Sequence, residues 1–220
     1  MQTRDLGRFA EEAGGFLREE HGFSYAKRRF TRTDELIRSA WFMPLNATAD
    51  RYLFDVVFDL GIPGVSAFGP KAQRHVVRAH AQLTSQSSPD YPTPTFVLRA
   101  GDDGRPVAPG VDEVVRQLTD DFLLRYPGPV ALYEMVRDSG MIAARDGLTA
   151  DTEFSRLRLD PFNVIKRLEL AAVYAAYLGR DDEVRAILEA ARQHATSHRV
   201  EYMIPIIEGG VAEAEQARVG

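Results

Sequence analysis

The residues that could do chemistry fall into three groups. Asp55 and Asp59 stand four apart in an alternating segment, so both project from one strand face and could act as an acid/base pair. Four strand residues span roughly 13 Å, too far for a shared proton and beyond the separation of inverting-glycosidase carboxylates. Each would need its own partner from elsewhere, and the expectation is that both face solvent. His194, His198 and Glu201 follow i, i+4 and i+7, the spacing of metal ligands on one helical face. The histidines also suit the last turn of a helix, where cations are favoured, and no second ligand motif accompanies them. No metal is expected.

The third group is basic. Arg28, Arg29, Arg32 and Arg38 lie in the first strand-like segments with Trp41, and Lys71, Arg74, His75, Arg78 and His80 follow later. Such a surface could hold a phosphate, a carboxylate or an acidic protein, and Phe23, Tyr25, Phe30 and Trp41 could add stacking. Arg28, Arg29, Arg32, Arg38 and Trp41 are the candidate binding residues. The competing reading is a solvated sheet edge, since charges on outer strands discourage strand-to-strand association. The chain holds no phosphate loop, no G-x-S-x-G elbow, no H-E-x-x-H and no dinucleotide fingerprint. The glycines around Ser66 have the wrong spacing for an elbow, and no cofactor is expected.

The 220 residues are enough for one large domain, and 45% hydrophobic content allows a sizeable core. With no cysteine there are no disulfides and no thiolate chemistry. A net charge of −5 argues against a nucleic-acid partner. The N-terminal residues lack a charged-then-apolar leader and no apolar run reaches about 18 residues, so a cytoplasmic protein without membrane association is expected.

These side chains need elements to position them. Leu6, Phe9, Ala10, Ala13, Phe16 and Leu17 keep the rhythm of one helical face, predicting a helix from Thr3 to His21 that stops at Gly22. Gly14-Gly15 inside it implies a close backbone approach or a kink. Strands are predicted from Tyr25 to Thr31, Glu35 to Met43, Tyr52 to Leu60 and at Phe96–Arg99. In the third, Tyr52, Phe54, Val56, Phe58 and Leu60 share one face. A short helix is expected over 70–83 and a polar, proline-rich loop over 85–94. Helices then run from Val111 to Leu123 and from Val130 to Asp138. A pair follows, in which Asp160 caps, Pro161 takes the first helical position and Gly179 closes the turn. Ala171, Ala172, Ala175 and Ala176 let its two helices pack closely.

Two resemblances attach to these residues. Leu17 to Phe23, Arg29 to Arg32, Leu36 to Met43, Phe54 to Gly61, then Phe122 to Tyr126 and Leu170 to Leu178, resemble a bacterial family of domains of unknown function. In that family a helix ending in a His-Gly-Phe turn feeds a small antiparallel sheet ahead of a helical second half. Some comparable α+β domains serve as immunity proteins. Ala172 to Gly179 with Val184, Leu188 and Ala191 is similar to a single tetratricopeptide-type pair, without a second copy. The expected fold is α+β: an N-terminal helix on an antiparallel sheet of about four strands over 1–108, then a helical half over 109–220 packed with it as one unit. The expected function is a non-enzymatic protein-binding module, an immunity or accessory protein holding an acidic partner or small anionic ligand. The alternative is a small-molecule enzyme with a pocket between sheet and helices, its first suspects Asp55, Asp59, Arg38, Trp41 or a histidine.

Overall fold

A computed structural model describes residues 3–47, 51–66, 74–81, 96–148, 152–161 and 163–219. The chain divides into two compact units, Met1–Leu60 with Ala79–Arg125, and Gly61–Arg78 with Tyr126–Gly220.

The first unit opens with helices α1 (Thr3–Ala13) and α2 (Gly15–Glu19), which break at Gly14. The Gly14-Gly15 pair thus does what its position implied. A Cβ on Gly14 would stand 2.8 Å from Cζ of Phe30 and closer still to Cε2, so only glycine lets the helix lie on that ring. Gly22 adopts φ +69°, the left-handed stop expected after the helix.

The sheet has the order β1 (Ser24–Ala26), β2 (Arg29–Thr33), β3 (Ile37–Ala47), β4 (Arg51–Gly61), β6 (Phe96–Ala100), β7 (Pro106–Val107). Strand β5 (Val76–His80) pairs with β4 outside that path. It is larger than the four strands expected, for local reasons. The segment from Tyr25 to Thr31 is a tight hairpin, because Lys27 and Arg28 both take positive φ, +50° and +67°, as a two-residue I′ turn demands. The segment expected as a helix over 70–83 contains a strand instead. From Val76 to His80 burial alternates with a period of two, and Val77 and Ala79 point inward. The rest of that expected helix, apart from His75 and Ala81, and the loop over 85–94 lie outside the described residues, Arg74 excepted.

Alternation sorts the sheet into two unlike faces. Phe30, Phe42 and Phe54 share one of them with Phe9 of α1 set edge-on, its ring 6.3 Å from Phe42 and 5.7 Å from Phe54. Burying each such ring contributes about 1.5–3 kcal/mol, which makes this aromatic layer the core of the unit. After β7, helix α3 (Val111–Leu118) ends in a π-turn (Thr119–Leu123).

The second unit is helical: α4 (Pro129–Asp146), α5 (Glu153–Arg156), α6 (Val164–Tyr177), α7 (Asp181–His198) and α8 (Ile204–Val219), with a 3-10 turn at Glu201–Met203. Helix α4 runs farther than the Asp138 expected. Helix α6 is buried almost all round, and Ala171, Ala172, Ala175 and Ala176 are fully enclosed where α4, α7 and α8 pack against it. Gly179, at φ +71°, makes the turn into α7. The start of α6 differs from expectation. Asn163, not Asp160, caps it by accepting the Lys166 amide at 2.9 Å, because the Asp160 backbone is already bridged to Arg78. Among the described residues no helix is long and apolar enough to cross a membrane.

Candidate functional site

The second face of the sheet is polar, and the register of its strands decides which side chains meet there. Arg29 lies opposite Trp41 and Thr31 opposite Ser39, and residues directly opposite share a face. The Arg29 guanidinium sits 4.8 Å over the Trp41 ring and its Nη2 is 3.8 Å from Asp59 Oδ2. Asp55 shares that face of β4 with Asp59, the two lying two positions either side of Val57.

Asp55 and Asp59 are both buried, at 5% and 0% exposure, which corrects the expectation that they face water. A sheet face that is enclosed takes carboxylates out of solvent, and each then needs a compensating group. Asp59 has Arg29. Asp55 has His80 of β5, whose Nδ1 lies 2.6 Å from Asp55 Oδ2. Sequence spacing had already separated the two carboxylates by roughly 13 Å, and they are held by different partners.

The Asp55–His80 contact is the pair best suited to chemistry among the described residues of the first unit. A carboxylate only accepts, so the pair places the imidazole proton on Nδ1 and leaves the Nε2 lone pair for another group. His80 is about a quarter exposed while Asp55 is not, so the ring has the access and the carboxylate does the orienting. Asp55 Oδ1 and Ser39 Oγ are both buried on this face without a hydrogen-bond partner. Unsatisfied buried polar atoms are uncommon in native proteins, and both of these are closed off from solvent.

The other candidate residues are distributed differently. Arg38, by the two-residue period, lies on the opposite face from Trp41. It is buried, bonds Asp34 and donates from Nε to the carbonyl of Leu123 at 2.8 Å, where the π-turn leaves that oxygen available. Burial works against ionisation of Asp34, yet the Leu36 amide and the Arg38 and Arg32 guanidiniums hold its carboxyl below the usual range. Arg32 reaches Asp34 at 2.7 Å and the His21 carbonyl at 3.1 Å. Arg28 sits at the hairpin tip beside exposed Lys27. The five candidate binding residues therefore do not form one basic patch: Arg29 and Trp41 meet on the polar face, and Arg32 and Arg38 converge on Asp34.

In the second unit, His194 and His198 stack with ring centroids 4.0 Å apart, and His198 Nδ1 lies 2.9 Å from the His194 carbonyl. Burial, and then the neighbouring His198, lower the His194 imidazole from its ordinary value. Helix α7 ends at His198 and Glu201 belongs to the next turn, so the three do not share a helical face. No group of three His, Asp or Glu side chains able to hold a metal occurs among the described residues.

The sequence points to Asp55 but not to its partner, because the segment that holds His80 reads as a helix. The alternation of Val77 and Ala79 with Arg78 and His80 was the available signal. Comparison with protein-family models, curated proteins and solved structures gives no match for this chain.

Proposed function

We propose that the polar sheet face is a small-molecule site where His80, oriented by Asp55, acts as a general base. The observation that carries the reading is the buried Asp55 carboxylate 2.6 Å from His80 Nδ1, with the ring part-exposed. Asp55 fixes the tautomer and stabilises the imidazolium formed when Nε2 takes a proton.

A panel of esters, amides and phosphoesters tests this. Turnover is expected with one class, falling about 10²–10⁴-fold in His80→Gln. Asp55→Asn should reduce it comparably while Glu12→Gln, an exposed residue of α1, leaves it unchanged. Absence of turnover throughout, or turnover that survives His80→Gln, sinks the reading.

A second reading, capture of an acidic protein by a non-enzymatic module, is favoured by one feature: the I′ turn that presents Lys27 and Arg28 at a hairpin tip. Arg29, Arg32 and Arg38 already have carboxylate partners within the fold, so this reading rests mainly on the tip. Charge reversal at Arg28 that abolished capture of a partner, with His80→Gln silent, would favour it over catalysis.

A further inference from the structure

The second unit carries a cavity of about 620 Å³, within the range of small-molecule sites. Its charged lining is balanced, with the cations Arg74, Arg78 and Lys166 against the carboxylates Asp160, Glu169 and Glu213. Leu170, Pro205 and Ile206 add an apolar wall.

Three local features make this a shaped site. First, His75 is locked in place. Its Nδ1 lies 3.2 Å from the Val65 carbonyl, and its own carbonyl is held by the hydroxyls of Tyr174, at 2.7 Å, and Ser66. With Nδ1 engaged there, Nε2 is turned to Glu169, 3.9 Å away. Second, Glu169 is nearly buried and also accepts Lys166 Nζ at 2.6 Å. An ammonium has three donors and a carboxylate about four acceptor positions, so this pair retains capacity for one group of each sign from a ligand.

Third, α8 contains Gly209-Gly210, each of which costs about 1 kcal/mol inside a helix. Gly210 is explained by its neighbours, since a Cβ there would stand 3.1 Å from Val173 Cγ2 and 3.5 Å from His75 Nε2. Gly209 is not: a Cβ there would meet nothing within 4 Å, yet the residue lines the cavity. Its missing side chain is cavity space.

We propose that this cavity binds a short zwitterion with an apolar body, of the class of an apolar dipeptide. The ammonium of the ligand joins Glu169, its carboxylate joins Lys166, and its side chains lie on Leu170 and Ile206. Lys166 is paired with Glu169 at 2.6 Å and Arg74 with Glu213 at 3.5 Å, so an anion or a cation alone takes one member of a pair from the other, whereas a zwitterion supplies a partner to both.

Leucyl-leucine, N-acetyl-leucyl-leucine and leucyl-leucine amide, titrated into the full chain by calorimetry, separate the possibilities. The free dipeptide is expected to bind at least tenfold more tightly than either blocked form. Gly209→Phe should remove binding while leaving the thermal midpoint of the protein within a few degrees. Glu169→Gln should narrow the preference for the free dipeptide over its N-acetyl form, a readout that does not depend on how Gly209→Phe folds. The inference fails if the free dipeptide does not bind at ~10 mM, beyond the millimolar end of measurable affinity. It fails equally if all three compounds bind alike, or if both variants bind as the parent does.

Discussion

Arg29 and Asp59 place opposite charges where the sheet excludes water, and Trp41 covers the guanidinium from one side. A buried pair gains little net stability over apolar residues of the same volume, but removing one partner strands the other charge. Arg29→Met is therefore expected to destabilise the fold by more than about 1 kcal/mol, and Arg29→Met with Asp59→Leu by less than the sum of the two single changes. Urea unfolding of the single and double variants measures this, and simple additivity would show that Arg29 does not compensate Asp59. Lys27→Met, exposed at the hairpin tip, should change stability by less than about 0.5 kcal/mol and serves as the surface control. At this scale the sequence was informative about which carboxylates matter and silent about their state. Spacing placed Asp55 and Asp59 on one face, but whether that face met water depended on what lay beyond the strand. Burial is a property of the neighbours, and no period within β4 records it.

At the scale of elements, helices α4 and α7 are joined at Glu183. Its carboxylate accepts the Tyr133 hydroxyl at 2.6 Å and Arg137 Nη1 at 2.7 Å. The Tyr133 hydrogen bond first, and then Arg137, hold the Glu183 carboxyl below its ordinary value, while burial pushes the Tyr133 hydroxyl well up. For a carboxyl whose folded value is depressed, the stabilisation is present above the unfolded value, about 4.3, and disappears as pH falls through the folded one. Glu183→Gln should thus lower stability by about 1 kcal/mol at pH 7 and by progressively less below pH ~4. Urea midpoints at pH 7 and pH 3 read it directly; a gap that does not narrow on acidification removes the charged pair as its cause. The α6–α7 hairpin was legible because its packing is written locally, in a run of alanines and a glycine at the turn. Its first cap is Asn163 and not Asp160, whose backbone partner lies 82 residues earlier in the chain, at Arg78. Strand β5 was missed for a related reason: five residues with two buried positions fit either period until a partner strand, β4, selects one.

At the scale of the molecule, the chain passes between its two units three times, and the first two crossings fall within β4 and β5. The second unit is consequently discontinuous: its helices, from Tyr126 onward, depend on a segment contributed by residues 61–78. That dependence has named contacts. Tyr174, fully buried in the centre of α6, donates its hydroxyl to the His75 carbonyl at 2.7 Å, and the Tyr177 ring closes over Gly64, within 3 Å of where a Cβ would stand. Burial pushes the Tyr174 hydroxyl well above its ordinary value, so it stays a donor throughout the neutral range. A chain comprising residues 126–220 alone would keep every helix of the unit yet leave that hydroxyl without its acceptor, at about 1–3 kcal/mol for the orphaned group. It would also lack the buried side chains Ile62 and Val77, which belong to the same compact unit. Such a fragment is expected to retain far-ultraviolet helical ellipticity while losing near-ultraviolet aromatic signal and a sharp unfolding transition, the behaviour of secondary structure without fixed packing. Restoring 61–78 in the native order should recover both. A fragment of 126–220 that unfolds as cooperatively as the full chain would show that the helices carry their own core, and that the returning segment adds the His75 cavity to an already complete fold.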